Sequence, residues 1–173
     1  MTNVEIHRRL AERWWQWVAS IPASRNPLVD GTGEFAAEGQ PDDVWFLAGT
    51  FGGGVKRRCS IPSDRPIFFP MFNIFRGTFL FLGARAPVCP QASGSAELNG
   101  TSLPVHEVKN QKKFILDAAP ESPLSFEGKV AVRAWGLWGH LDPLSPGTYV
   151  LTFRGEERPG GFWVEAEYDL TVV

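Results

Sequence analysis

Near the start of the chain, apolar residues recur at steps of three and four: Ile6, Leu10, Trp14, Trp17, Val18 and Ile21. That spacing lays them along one stripe of an α-helix, with Ala11 and Trp15 on its flank. Thr2 followed by Glu5 fits a capping box, and Pro22 disfavours helical geometry at Ile21, so the pattern predicts a helix over 2–21. Three destinations exist for so aromatic a stripe: the body of the same domain, a second copy of the chain, or a lipid or ligand. A short helix gains most of its stability by burying its apolar face. Glu5 and Glu12 also argue against the basic polar face usual in membrane-surface helices. The stripe is therefore expected to close one side or end of the body, with any pocket beside it; a homodimer through the helix is the second expectation.

Residues 22–43 are rich in Pro, Gly, Asn and Asp and read as an ordered loop. Beyond them the period shortens. "VWFLAG", "VKRRCSI", "PIFFPMF" and "TFLFLG" are short apolar or alternating runs between turn residues, the pattern of strands. Asn99-Gly100 in "SAELNGTSLPV" signals a type I′ hairpin. "KFILD" and "LSFEG" read as further strands, and "KVAVRAWGLWGHL" as one long strand or a bent pair. Tyr149, Leu151 and Phe153 alternate with polar neighbours. Phe162, Val164, Ala166, Tyr168, Leu170 and Val172 share one face against Trp163, Glu165, Glu167, Asp169 and Thr171, which suits a closing hairpin. The expectation is an all-β single domain, 1–173. Its body, 44–173, is a mainly antiparallel β-sandwich, jelly-roll or immunoglobulin-like, with the one amino-terminal amphipathic helix packed on it.

Composition narrows the function classes. The formal charge of -2 and the scattering of Lys and Arg give no footprint for a nucleic acid. The longest apolar stretch, "PIFFPMFNIFRGTFLFLG", is broken at Arg76 and Gly77, so no membrane span is expected. The first twenty residues are interrupted by charges and do not read as a secretory signal, which points to a cytoplasmic protein with Cys59 and Cys89 as reduced thiols, their pairing left open.

"WWQWVASIP", "NPLVDGTG", "VWFLAGTFGG", "RRCSIPSDRPIFFPMFN" and "LDPLSPGTYVLTFRG" with "YDLTV" together resemble a family of uncharacterised bacterial proteins, many of them exported. The resemblance covers most of the chain and is thinnest from about Ala84 to Gly128. It implies a shared β-rich fold and transfers no catalytic residue, since the family has no established activity. Ala36 stands where the resemblance would place a cysteine, which leaves Cys59 without that partner and suits a reduced, intracellular relative.

Candidate chemistry is sparse. No Gly-x-Ser-x-Gly elbow occurs, and Cys59 shares a strand face with Val55, Arg57 and Ile61, as a buried structural thiol would. His140 and Asp142 lie two apart, with His106 and Glu107 as distant additions, but the spacing also suits a turn before Pro143; no metal site or cofactor is expected. His140, Asp142 and Glu165 are the catalytic candidates for acid–base work. Arg57 and Arg58 fit either an anion-orienting pair or the charge that protects an edge strand.

The aromatic surplus is the strongest positive feature. Trp45, Trp135, Trp138 and Trp163, with Arg58, are the ligand-binding candidates, since exposed tryptophans on a sandwich stack on sugars or flat apolar ligands. The amino-terminal helix is expected to cover the face that carries Trp163, which would account for the "WWQW" stripe as well and remove that option. The leading expectation is a binding or interaction module for an aromatic, hydrophobic or sugar-like small molecule or glycan. The alternative is a cofactor-independent isomerase, cyclase or hydrolase using acid–base residues in an aromatic pocket.

Overall fold

The computed structural model describes residues 2–77 and 85–173. The expected strand "TFLFLG" lies wholly outside them. Helix α1 spans Asn3–Ala19, and both arms of its capping box are made: the Thr2 hydroxyl accepts from the Glu5 amide at 3.3 Å, and the Glu5 carboxylate accepts from the Thr2 amide at 2.9 Å. A single 3-10 turn follows at Ala23–Arg25.

Nine strands come next among the described residues: β1 (Trp45–Phe46), β2 (Gly53–Ile61), β3 (Ile67–Gly77), β4 (Ala92–Leu98), β5 (Thr101–Ser102), β6 (His106–Ala118), β7 (Gly128–Leu141), β8 (Gly147–Glu157) and β9 (Phe162–Val172). They form two sheets, ordered β1-β3-β7-β6 and β2-β9-β8-β4-β5. Pairing is antiparallel except at β1–β3 and β2–β9. Asn99 and Gly100 both take positive φ, 50° and 79°, as the turn between β4 and β5 requires. The β8–β9 hairpin closes the chain in the expected register, with Leu151 opposite Tyr168 and Phe153 opposite Ala166.

The sheets pack face to face around Phe69, Met71, Trp135, Leu151, Phe153, Ala166, Tyr168 and Leu170. A second core lies on the other face of the first sheet, where Leu10, Trp14 and Val18 of α1 meet Phe46, Phe68, Leu116, Val132 and Trp138. The molecule therefore has three layers: helix, first sheet, second sheet. The first sheet is buried on both faces, which is the physical reason that β3 reads as a continuous apolar run instead of an alternating one. The sheets approach so closely at Gly155 that a Cβ there would stand 2.0 Å from the Met71 carbonyl oxygen.

Three expectations need correction. The helix does not lie over Trp163. It covers the first sheet, because the outer face of the second carries Lys56, Arg58, Glu165, Glu167 and Asp169 in ion pairs that an apolar stripe cannot match. "LSFEG" is a loop, not a strand. Ala119 donates to the Ala19 carbonyl and the Glu121 carbonyl accepts from Ala23, tying 119–127 to the end of α1. Glu121 and Ser125 take φ of 59° and 65°, and Leu124 and Phe126 pack on the helix core. Of "VWFLAG", only Trp45 and Phe46 form strand.

Candidate functional site

An apolar cleft beside α1 owes its existence to the shortness of β1. Leu47 still donates to the Phe68 carbonyl at 3.1 Å, but at Ala48 and Gly49 the chain leaves the edge of β3. A buried polar cluster draws it away. Arg57 on β2, 2% exposed, donates through Nη1 to the carbonyls of Ala48 (2.7 Å) and Gly49 (3.0 Å) and to the Tyr168 hydroxyl (2.7 Å). Its Nε donates to the Asp30 carbonyl at 2.7 Å. The Tyr168 hydroxyl in turn donates to the Ala48 carbonyl and accepts from the Ala48 amide. Burial pushes the Tyr168 phenol up to about 12, so it stays protonated and able to donate. Arg57 is thus neither an anion site nor edge protection; it is a structural cation solvated by carbonyls.

Beyond this point β3 has no neighbour on that side among the described residues. The gap is a cleft of about 140 Å³, walled by Trp14 and Trp15 of α1, Thr50 and Phe51 of the β1–β2 loop, Pro70 to Asn73 and Phe75 of β3, Leu124, and Phe162 and Val164 of β9. Phe51 and Phe162 stand at its mouth, 54% and 40% exposed. None of the side chains lining it is titratable. Trp15 is 5% exposed, its ring edge-on to Trp14 and Phe75, yet its indole Nε1 has no hydrogen-bond partner among the described residues. The amide nitrogen of Asn73, a lining residue on β3, is also buried and lacks one among those residues.

A second cluster gathers all three histidines of the sequence, from α1, β6 and β7. A ring nitrogen of His7 and one of His140 share a hydrogen bond at 3.0 Å, and the His7 and His106 ring centroids are 4.2 Å apart. Burial, then the neighbouring His106 and His140, pushes His7 down to about 4. Burial also lowers His106 and His140, with Asp142 opposing the shift at His140. These rings are therefore neutral at pH 7. Among the described residues, no three or more His, Cys, Asp or Glu side chains are arranged to hold a metal ion. His7 and His106 also edge a more open surface cleft of about 750 Å³ with Arg8, Glu107, Lys109 and Lys112.

Of the residues singled out from sequence, His106 and His140 come together around His7, and the others are not gathered into one site. Trp45, Trp135 and Trp138 are 5%, 3% and 1% exposed: Trp45 and Trp135 sit between the sheets, and Trp138 stacks on Phe68 under α1. The Trp135 indole donates to Glu107 at 2.8 Å. Trp163 is 41% exposed on the outer face of the second sheet, with the Arg154 guanidinium 5.4 Å from its ring. Arg58 pairs with Asp169, and Glu165 with Arg154, both at the surface. Asp142 is exposed just past β7. Cys59 is pushed up to about 12 by burial, as an inert thiol would be, and both cysteines are free. Sequence reasoning missed Trp15, set on the helix flank, and Asn73. Asn73 carried the one usable signal, a lone amide inside the apolar run "PIFFPMFNIF".

No protein-family model matches the chain. No curated protein matches it either. A solved structure of PbICP-C in complex with falcipain-2 aligns with 70% of this chain and 91% of that chain, at 10% identity and a TM-score of 0.29. A likeness at that level carries no argument about fold or function.

Proposed function

We propose that the protein is a binding module for a small, uncharged, largely apolar molecule held in the cleft beside α1. The observation that carries this reading is a cleft lined by the rings of Trp14, Trp15, Phe51, Phe72, Phe75 and Phe162 with no titratable side chain among its walls. Sugars fit less well, because the lining offers few partners for many hydroxyls. Catalysis fits less well too, since the lining holds no acid or base. His7 stands seven residues from Trp14, about 10 Å along the helix axis.

Titration with toluene, followed by ligand-observed NMR, tests the proposal. Saturable one-to-one binding is expected. It should be lost in Leu124→Trp, which narrows the cleft, and kept in Trp163→Ala, on the outer face of the second sheet. Retention in the first variant with loss in the second would move the site to the outer face and refute the reading.

A further inference from the structure

The sequence scatters Lys and Arg, but the fold gathers some of them at one end of the first sheet. Ile74 and Trp135 stand opposite each other on β3 and β7, in the core between the sheets. The next pair along that row, on the same face, is Arg76 opposite Arg133. Like charges directly opposite on a sheet repel and weaken it. On the other side of β7 the ladder is irregular. Between the pairs Asn110–Ala134 and Phe114–Val132, residues 111–113 of β6 face Arg133 alone, and they bring two exposed lysines, Lys112 and Lys113.

Arg133 walls a cleft of about 440 Å³ with Lys109 and Gln111 of β6 and with Arg85, Ala86 and Val88 of the segment that leads into β4. That volume lies in the range of small-molecule sites. No carboxylate lines it. Lys109 pairs with Glu107 at 3.1 Å, whereas Arg76, Arg85 and Arg133 have no ion pair among the described residues. Residues 78–84, which join β3 to this segment in sequence, include no Asp or Glu. Of the Arg133 guanidinium, only Nε is buried without a partner, so the Nη nitrogens are the ones that a ligand meets. Uncompensated cations around a cleft favour an anion. A carboxylate is filled by one guanidinium fork, whereas a phosphoryl group brings more oxygens and a charge of about −1.5 to −2 at pH 7, enough for two.

We infer that this cleft binds a small phosphate monoester, its phosphoryl oxygens accepting from Arg85, Arg133 and Lys109. The site shares no lining residue with the apolar cleft beside α1 and does not depend on it.

Methyl phosphate and acetate, neither with a ring that the apolar cleft could take, separate the claims when titrated into the full chain by calorimetry at pH 7 and low ionic strength. Methyl phosphate is expected to bind one to one, about tenfold tighter than acetate, and to weaken about tenfold in Arg133→Gln. Arg85→Gln is read in the same way if that variant fails to fold. Arg158→Gln, which removes an exposed cation paired with Glu156, should leave binding unchanged. Equal affinity for the two anions would overturn the choice of phosphate. Equal weakening in Arg133→Gln and Arg158→Gln would show an effect of net charge alone and overturn the site. Failure of methyl phosphate to bind at millimolar concentration would overturn the inference as a whole.

Discussion

Tyr168 shows how one hydroxyl can hold a site in shape. It is 1% exposed, accepts from Arg57 Nη1 and the Ala48 amide, and donates to the Ala48 carbonyl. These bonds pull residues 48 and 49 off the edge of β3 and so open the cleft. Arg57 has no carboxylate partner among its hydrogen bonds; carbonyl dipoles and the Tyr168 oxygen offset the cost of burying its charge. Tyr168→Phe leaves a buried guanidinium donor and the Ala48 groups short of partners. Urea unfolding is expected to show a loss of about 1–3 kcal/mol; a loss below about 0.5 kcal/mol, the scale of ordinary surface changes, would mean that the cluster does not depend on the hydroxyl. Arg57 was legible as a charge facing inward with Val55 and Cys59, but not as a carbonyl-bound cation, because its acceptors lie 8 to 111 residues away.

At the scale of elements, α1 is the piece most exposed to pH. Its His7 is held well below the ordinary histidine value of 6.5, at about 4, by burial first and then by His106 and His140, with Asp142 favouring charge at His140 alone. The folded state therefore binds fewer protons than the unfolded chain between those limits. The stabilisation tied to the neutral rings is complete above pH 6.5 and is lost as pH falls toward 4. The urea midpoint should drop across that window, and His7→Gln should flatten the drop; an unchanged slope in the variant would show that His7 is not its source. The helix itself, its capping box and the β8–β9 hairpin were readable because each depends on local spacing. "LSFEG" misled because Leu124 and Phe126 alternate to face a helix packed across them, not to pair in a sheet. The parallel β1–β3 and β2–β9 pairs had no local signature at all.

For the whole molecule, the governing choice is which sheet α1 covers. An ion-paired outer face on the second sheet leaves only the first available to the apolar stripe. With the stripe buried there, Trp14 and Trp17 are core residues whose indoles donate to the Leu47 and Glu38 carbonyls at 2.9 and 2.8 Å. The helix stripe is thereby spent within the chain rather than left free for a second copy. No described helix is long and apolar enough to cross a membrane. The same arrangement sets Trp15 beside the open edge of β3 and builds a cleft from α1, the β1–β2 loop, β3, the β6–β7 loop and β9. Such a convergence of distant segments is invisible to periodicity, which is why tryptophans were singled out by number rather than by place.

The most direct test of that cleft reads the Trp15 indole itself. In a nitrogen-15 labelled sample, the indole N–H resonances of the seven tryptophans can be followed as toluene is added. A ring seated in the cleft should shift the resonance of Trp15, which lines it, while the Trp163 resonance stays in place. Movement at Trp163 with a silent Trp15 would contradict the account.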